Sequence, residues 1–287
     1  MYSGSVYKHT SKNGRMFEMR RRLTLHALVL SLLLTLVGAA QSQAGLISEG
    51  QEMQMGRDAA KQIEAKYKLS KDEKATALVE QIGRKVAAVS SRPKLPWQFK
   101  VLDTREVNAL SVPGYVYVYR GLMDFTGGDQ SQLAAVIAHE IGHTAGKHAV
   151  RQYEKQLGLS IGLQLLLKKQ SARQLGGFAA NLALLGYSRS DEFDADKRGV
   201  DYMYAAGYDP NGMVRFFEKL QQKQGNGSSG LSTYFSTHPK TSDRISRVKK
   251  EIANMRGQRQ SVLPVSGQPQ SNGQDMVLLA LAGLLSR

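Results

Sequence analysis

Apolar residues recur at three- and four-residue spacing through residues 47–67 and 71–90, the period of amphipathic helices packed on a core. Pro93 and Pro96 break that period. From Trp97 the pattern switches to alternation, Trp97-Gln98-Phe99-Lys100-Val101-Leu102, which predicts a half-buried strand. Tyr115-Val116-Tyr117-Val118-Tyr119 alternates too, with tyrosines on one face and valines on the other. A run rich in alanine and almost free of charge follows at 133–146 and reads as a buried helix. Two apolar stretches, 157–167 and 175–185, are separated by Lys168-Lys169-Gln170-Ser171. Each is too short to span a bilayer. They are expected as a buried αα-hairpin, with a lid over a cleft or a membrane-touching hairpin as the alternative. Further helices are expected at about 189–206, closed by Gly207 and Pro210, at 211–223, and at a last segment ending near Met255. Gly225-Asn226-Gly227-Ser228-Ser229-Gly230 reads as a flexible loop. Residues 257–275 read as a disordered linker before a ten-residue apolar tail at 276–285.

That alanine-rich run contains His139-Glu140-Ile141-Gly142-His143. Residues four apart on a helix point the same way one turn apart, so the two imidazoles supply half of a tetrahedral metal site. The glutamate between them points to the neighbouring side, where it reaches a water held by the metal rather than the metal itself. A random chain of this length carries this pattern with a probability on the order of 1%. The competing reading, a solvated helix face with two unrelated histidines, would put charges in the flanks, and there are none. Asp129 is a candidate N-cap, and Gln132 falls where a capping box needs it.

A catalytic zinc takes three protein ligands and leaves one position open. The chain has no cysteine, so the third ligand is a His, Asp or Glu. Ser188 followed by Asp191 reads as a helix start. On that helix Glu192 and Asp196 share a face. Glu192 is the candidate ligand, and Asp196 the candidate acceptor for the free N–H of a ligating imidazole. The plainer reading is an acidic first turn favoured by the helix dipole. His148 reads as a surface or helix-end histidine. His238, in Ser236-Thr237-His238-Pro239, is a candidate for oxyanion stabilisation or for a fourth, inhibitory ligand, against a simple capping turn before Thr241. Arg244 is expected to orient that loop or to stabilise negative charge.

His-Glu-x-x-His followed by Glu-x-x-x-Asp resembles the gluzincin peptidases. Within them the chain is similar to the family of the CAAX prenyl-protein endopeptidases and the bacterial HtpX/BepA-type proteases. The opening helix around Ser48-Glu49-Gly50-Gln51-Glu52, the segment Asn108-Ala109-Leu110-Ser111-Val112-Pro113-Gly114 closed by Arg120-Gly121-Leu122-Met123, and Thr237-His238-Pro239 with Arg244 carry the rest of the likeness. It covers roughly residues 46–256. One departure is the single Gly114 after Pro113, where many members have two glycines. The resemblance implies an α+β, zincin-like fold: one mostly helical domain with a small sheet beside the metal helix. It implies one zinc ion per chain held by His139, His143 and Glu192, with Glu140 as general base. It also implies an edge strand that binds substrate backbone. Its substrates would be polypeptides, misfolded or misassembled envelope proteins above all.

Composition places that chemistry in a compartment. Arg20-Arg21-Arg22, an apolar stretch at 23–37 and Ser42-Gln43-Ala44 form a cleaved signal peptide pattern. The expected division is 1–44 as signal with an N-terminal extension, 45–256 as peptidase domain, and 257–287 as linker and tail. Met16 or Met19 is a candidate start. Without cysteine there is no lipid-modified residue at the cleavage site, so the periplasm is the expected location. The net charge of +15 falls to +10 without residues 1–44, which hold six Lys or Arg and one acidic residue. No nucleic-acid motif accompanies it. The basic surface reads as simple solvation or as attraction to anionic membranes. The rival function is a chaperone-like holder of unfolded clients with a structural or closed metal site. The intact Glu140 argues against it, because a structural site has no use for a general base. An aminopeptidase would need a group for a free amine, and none is evident.

Overall fold

The computed structural model describes residues 47–167, 186–225, 231–238 and 243–262. The expected signal segment, the apolar stretch at 175–185, the loop at 226–230, Pro239 to Thr241 and the apolar tail lie outside them. The chain divides into two units, Met1–Glu49 and Gly50–Arg287, and the architecture below is that of the second.

The elements run α1 (Glu49–Lys66), α2 (Glu73–Ala88), β1 (Gln98–Leu102), β2 (Ala109–Val112), β3 (Tyr115–Tyr119), α3 (Arg120–Thr126), α4 (Gln130–Ala145), α5 (His148–Leu167), α6 (Arg189–Ala205), α7 (Asn211–Gly225), α8 (Ser232–Thr237) and α9 (Arg244–Val262). This is the expected α+β arrangement, mostly helical with one small sheet. The sheet has the order β1-β3-β2. β1 runs parallel to β3, with Gln98 opposite Tyr115, and β2 pairs with β3 antiparallel through the tight Pro113-Gly114 turn. β2 and α3 were not signalled by periodicity. Four residues are too few to establish a period, and α3 follows β3 directly with no side-chain cap at Tyr119. α9 continues to Val262, past residue 257 where the linker was expected to begin.

The alternation in β3 sorts its residues into two cores. Val116 and Val118 join Val79, Ile82 and Val86 of α2 and the apolar side of α4. Tyr117 and Tyr119 pack with Ala59, Ala60 and Ile63 of α1. The tyrosine face is covered by α1, and the Tyr117 hydroxyl donates to Glu64 Oε1 at 2.6 Å. Both faces of the central strand are therefore buried.

α4 is the element around which the others assemble. It is buried from Gln132 to Thr144 and touches α2, α3, α5, α6, α7, β2 and β3. Its start is fixed by Asp129, whose carboxylate accepts from the Ser131 and Gln132 backbone N–H groups and is gripped by Arg215 of α7 at 2.9 Å. The Gln132 side chain donates to the same carboxylate at 3.0 Å, a variant of the capping box that was expected.

Candidate metal centre

His139 and His143 lie one turn apart on α4, and their Nε2 atoms are 3.0 Å apart. α6 supplies the next donor. The expected capping box is present at its start, with Ser188 accepting from the Asp191 N–H and Asp191 accepting from the Ser188 N–H. That start places Glu192 one turn before Asp196, both facing α4. The two helices approach closely because position 142 is glycine. A Cβ there would stand 2.8 Å from the Ala195 carbonyl oxygen, so any larger residue would push α6 and its carboxylates away. α8 ends at His238, which it presents to the same point.

His139, His143, Glu192 and His238 each bring one ligand atom to within 4.8 Å of the others, and all four residues are buried. His143 Nε2 is 3.3 Å from Glu192 Oε1, and His139 Nε2 is 3.7 Å from Glu192 Oε2. His238 Nδ1 is 3.1 Å from Glu192 Oε1 and 3.3 Å from His139 Nε2. Nitrogen and oxygen donors about 2.0–2.1 Å from one tetrahedral ion lie about 3.3 Å from each other, so the spacing suits such an ion. The charges suit it as well. Glu140, Glu192 and Asp196 are three buried carboxylates faced by a single guanidinium, that of Arg244. The carboxylates outnumber that guanidinium, and the excess of negative charge suits a cation. Glu140 Oε2 is buried with no hydrogen-bond partner among the described residues, as befits a group reserved for a ligand.

His238 answers the same excess of negative charge with a proton. Burial would lower its pKa, but Glu192 and Glu140 on either side outweigh burial and raise it to about 10. Its Nε2 is 3.2 Å from Glu140 Oε1. Burial pushes the Glu140 carboxyl up, yet His238 and the two α4 histidines hold it down at about 2. His143 is pushed the other way, to about 3, by burial and by its neighbour His139.

Each α4 histidine is braced from behind. His139 Nδ1 is 2.9 Å from Asp196 Oδ1. Arg244 holds Asp196 with two bonds of 2.7 Å and reaches Glu192 Oε2 at 2.6 Å. All of its nitrogens are engaged with these carboxylates, so Arg244 fixes α6 carboxylates rather than the loop before it. Behind His143 stands His148, with the two Nδ1 atoms 2.8 Å apart. Here the sequence reading needs correcting. His148 opens α5, and it is 1% exposed rather than on the surface. Tyr187 was also missed. Its ring stacks on His143 at 3.7 Å.

Beside Glu140 opens a cleft of about 430 Å³. It is walled by Ile63 and Tyr67 of α1, Leu110 and Val112 of β2, Tyr119 and Tyr187. β2 is an edge strand, and the Ser111 hydroxyl ties it to the Glu140 carbonyl at 2.9 Å.

The sequence model of peptidase family M48 matches residues 73–252. The beta-barrel assembly-enhancing protease of Escherichia coli K12 is 27% identical over 234 residues, 77% of this chain and 48% of that protein. The mitochondrial metalloendopeptidase OMA1 of Schizosaccharomyces pombe is 28% identical over 216 residues, 73% of this chain and 64% of that protein. Metalloprotease LoiP of Escherichia coli K12 is 25% identical over 228 residues, 75% of this chain and 86% of that protein. The chain spans about half the length of the assembly-enhancing proteases it matches.

Proposed function

Because the chain belongs to peptidase family M48, we propose that it is a zinc-dependent endopeptidase. His139, His143 and Glu192 hold the ion in this reading. The observation that carries it is the convergence of four buried donors beside a buried, unpartnered glutamate oxygen. When bound, zinc supplies a Lewis acid that acidifies water and polarises a carbonyl. Glu140 accepts the proton of the attacking water and passes it to the leaving nitrogen. Asp196 and Arg244 hold His139 and Glu192 in place. The cleft beside Glu140 takes the peptide, whose backbone pairs with the open edge of β2.

His238 stands at two doors of this site. Its Nδ1 lies among the donors and its Nε2 against Glu140. Four protein donors make a closed site, the mark of structural zinc. This favours a latent resting form, in which His238 withdraws to admit water and substrate and then serves the oxyanion. The chaperone-like alternative has the same closed site but never opens.

Substrates in the reading are misfolded or misassembled envelope proteins, and the location is the periplasm. The name of the Escherichia coli relative, an assembly-enhancing protease for β-barrels, supports this choice. No described helix is long and apolar enough to cross a membrane. The net positive charge suits a peripheral contact with anionic lipid.

The test is casein cleavage by the purified chain with and without a chelator. Cleavage that the chelator abolishes and zinc restores is expected. Bound zinc without cleavage, in both the wild type and His238→Ala, would contradict the peptidase reading and favour the holder of clients.

A further inference from the structure

His139 and His143 are equivalent in the sequence motif, yet they are braced by different chemistry. His139 faces a carboxylate directly. His143 faces a second imidazole. We propose that His148 is a positioning residue for His143: its Nδ1 accepts the Nδ1–H of His143, and its own Nε2–H is held by Asp194. The inference rests on the reading that His143 binds a metal through Nε2.

The backbone is built to deliver His148 to this place. On a continuous helix a residue five positions after His143 would point about 140° away from it. α4 instead ends at Ala145, Gly146 caps it, and Lys147 adopts a φ of 54°. Lys147 is the one non-glycine residue with positive φ among the described residues. The left-handed step turns the chain back, so that α5 starts with its first side chain under His143. Arg151 donates to the Gly146 carbonyl and pins the turn. Position 146 has no room for a side chain, since a Cβ would stand 2.5 Å from His148 Nε2 and 3.0 Å from Asp194 Oδ2.

The hydrogen bonds allow one proton arrangement. His143 must leave Nε2 free toward the donor cluster, so its proton sits on Nδ1. That proton points at His148 Nδ1 across 2.8 Å. His148 therefore carries its own proton on Nε2, which is 2.9 Å from Asp194 Oδ2. Arg198 grips the same carboxylate oxygen through Nε at 2.6 Å. The other charged neighbours are Asp191, 4.0 Å from His148 Nε2, and Arg151, which pairs with Asp191. The chain Arg198–Asp194–His148–His143 thus fixes both the tautomer and the ring plane of His143, while Tyr187 stacks on that ring. α6 provides both anchoring carboxylates, Asp194 for this chain and Asp196 for the one behind His139.

Zinc affinity separates this role from simple packing. The assay is a competition titration of the zinc-free full chain against a chromophoric chelator, with circular dichroism to verify folding. Two nearly equal-sized variants are compared. His148→Leu fills the space but offers no acceptor, and His148→Asn places an oxygen where Nδ1 stands. The expected result is a loss of about 10- to 100-fold in affinity for His148→Leu. For His148→Asn the loss is expected to be only a few-fold. A folded His148→Leu that binds zinc as tightly as the wild type would overturn the proposal, as would equal losses in both variants. A wild type that binds no zinc would overturn the metal reading itself, which is a separate result. If neither His148 variant folds, Asp194→Leu, which offers no acceptor, takes their place, because Asp194 is partly exposed. Unchanged zinc affinity in Asp194→Leu would then reject the chain of bonds, and weakened affinity would support it.

Discussion

Leu133 to Ala138 and His139 to His143, the two buried stretches of α4, are equally hidden from solvent, but different forces hold them. Leu133 to Ala138 present only apolar side chains to α2, α6 and α7, including Met203, Met213 and Phe216. Removing such surface from water stabilises the fold by roughly 25 cal/mol per Å². His139 to His143 meet Glu192, Asp196, His238 and Arg244 instead, all of them buried. Taking these groups out of water costs several kcal/mol per ion unless charges and hydrogen bonds compensate. Glu140, Glu192 and Asp196 outnumber the cationic groups of Arg244 and His238 that face them, so the network is incompletely compensated by protein alone. Burial thus marks stability in one half of the helix and the proposed metal site in the other, although the two halves cannot be told apart by exposure.

Substitutions sharpen this contrast, beginning with the chemical one. Glu140→Gln should lower casein cleavage by about 10²- to 10⁴-fold, while elemental analysis still finds the wild-type zinc content. Full activity in that variant would remove Glu140 from proton transfer. In the apolar half, Ile137→Ala should reduce stability by about 2–5 kcal/mol in urea unfolding. The folded fraction should bind zinc as before. A large loss of zinc affinity there would mean that the halves are not separable. Gly142→Ala tests the joint between them, because its methyl group would meet the Ala195 carbonyl. A destabilisation of about 1–3 kcal/mol is expected, and here zinc affinity should fall with it, since α6 carries Glu192.

The smallest effect belongs to the cap. Asp129→Ala should cost about 1 kcal/mol at neutral pH. Burial pushes the Asp129 carboxyl up, but hydrogen bonds from Arg215 and Gln132 outweigh burial and hold it at about 2, below the ordinary 3.8. A depressed carboxyl stabilises the folded state fully above its unfolded pKa and loses that contribution as pH falls through its folded value. The stability gap between wild type and Asp129→Ala should therefore be constant above about pH 4 and close toward pH 2. A gap that widens on acidification would refute this account of the cap.

Much of the molecule was legible in the sequence because the governing patterns are local. Spacing of apolar residues located α1, α2, α6 and α7, and alternation located β1 and β3. The His-Glu-x-x-His motif needs only helical geometry to set His139 and His143 side by side. Ser188 and Asp191 announced the start of α6, which put Glu192 and Asp196 on one face. What stayed hidden depended on contacts or backbone reversals that no short pattern records. β2 is short, and its strand character comes from pairing with β3. The burial of Tyr117 and Tyr119 depends on α1 lying over them. His148 read as a surface or helix-end histidine because the left-handed step at Lys147 is not visible in composition. The glycine at 146 was the available signal, since a glycine just after the last periodic residue marks a helix end.

The most direct test of the central claim measures thermal unfolding of the full chain with and without a chelator, alongside Glu192→Ala, with zinc content determined for each. The account predicts one zinc per wild-type chain and a midpoint that drops on chelation, because a ligand bound only to the folded state stabilises it. It predicts little zinc in Glu192→Ala and a midpoint that the chelator does not move. A wild type free of zinc whose midpoint ignores both chelator and added zinc would contradict the claim that the polar half of α4 exists to hold a metal.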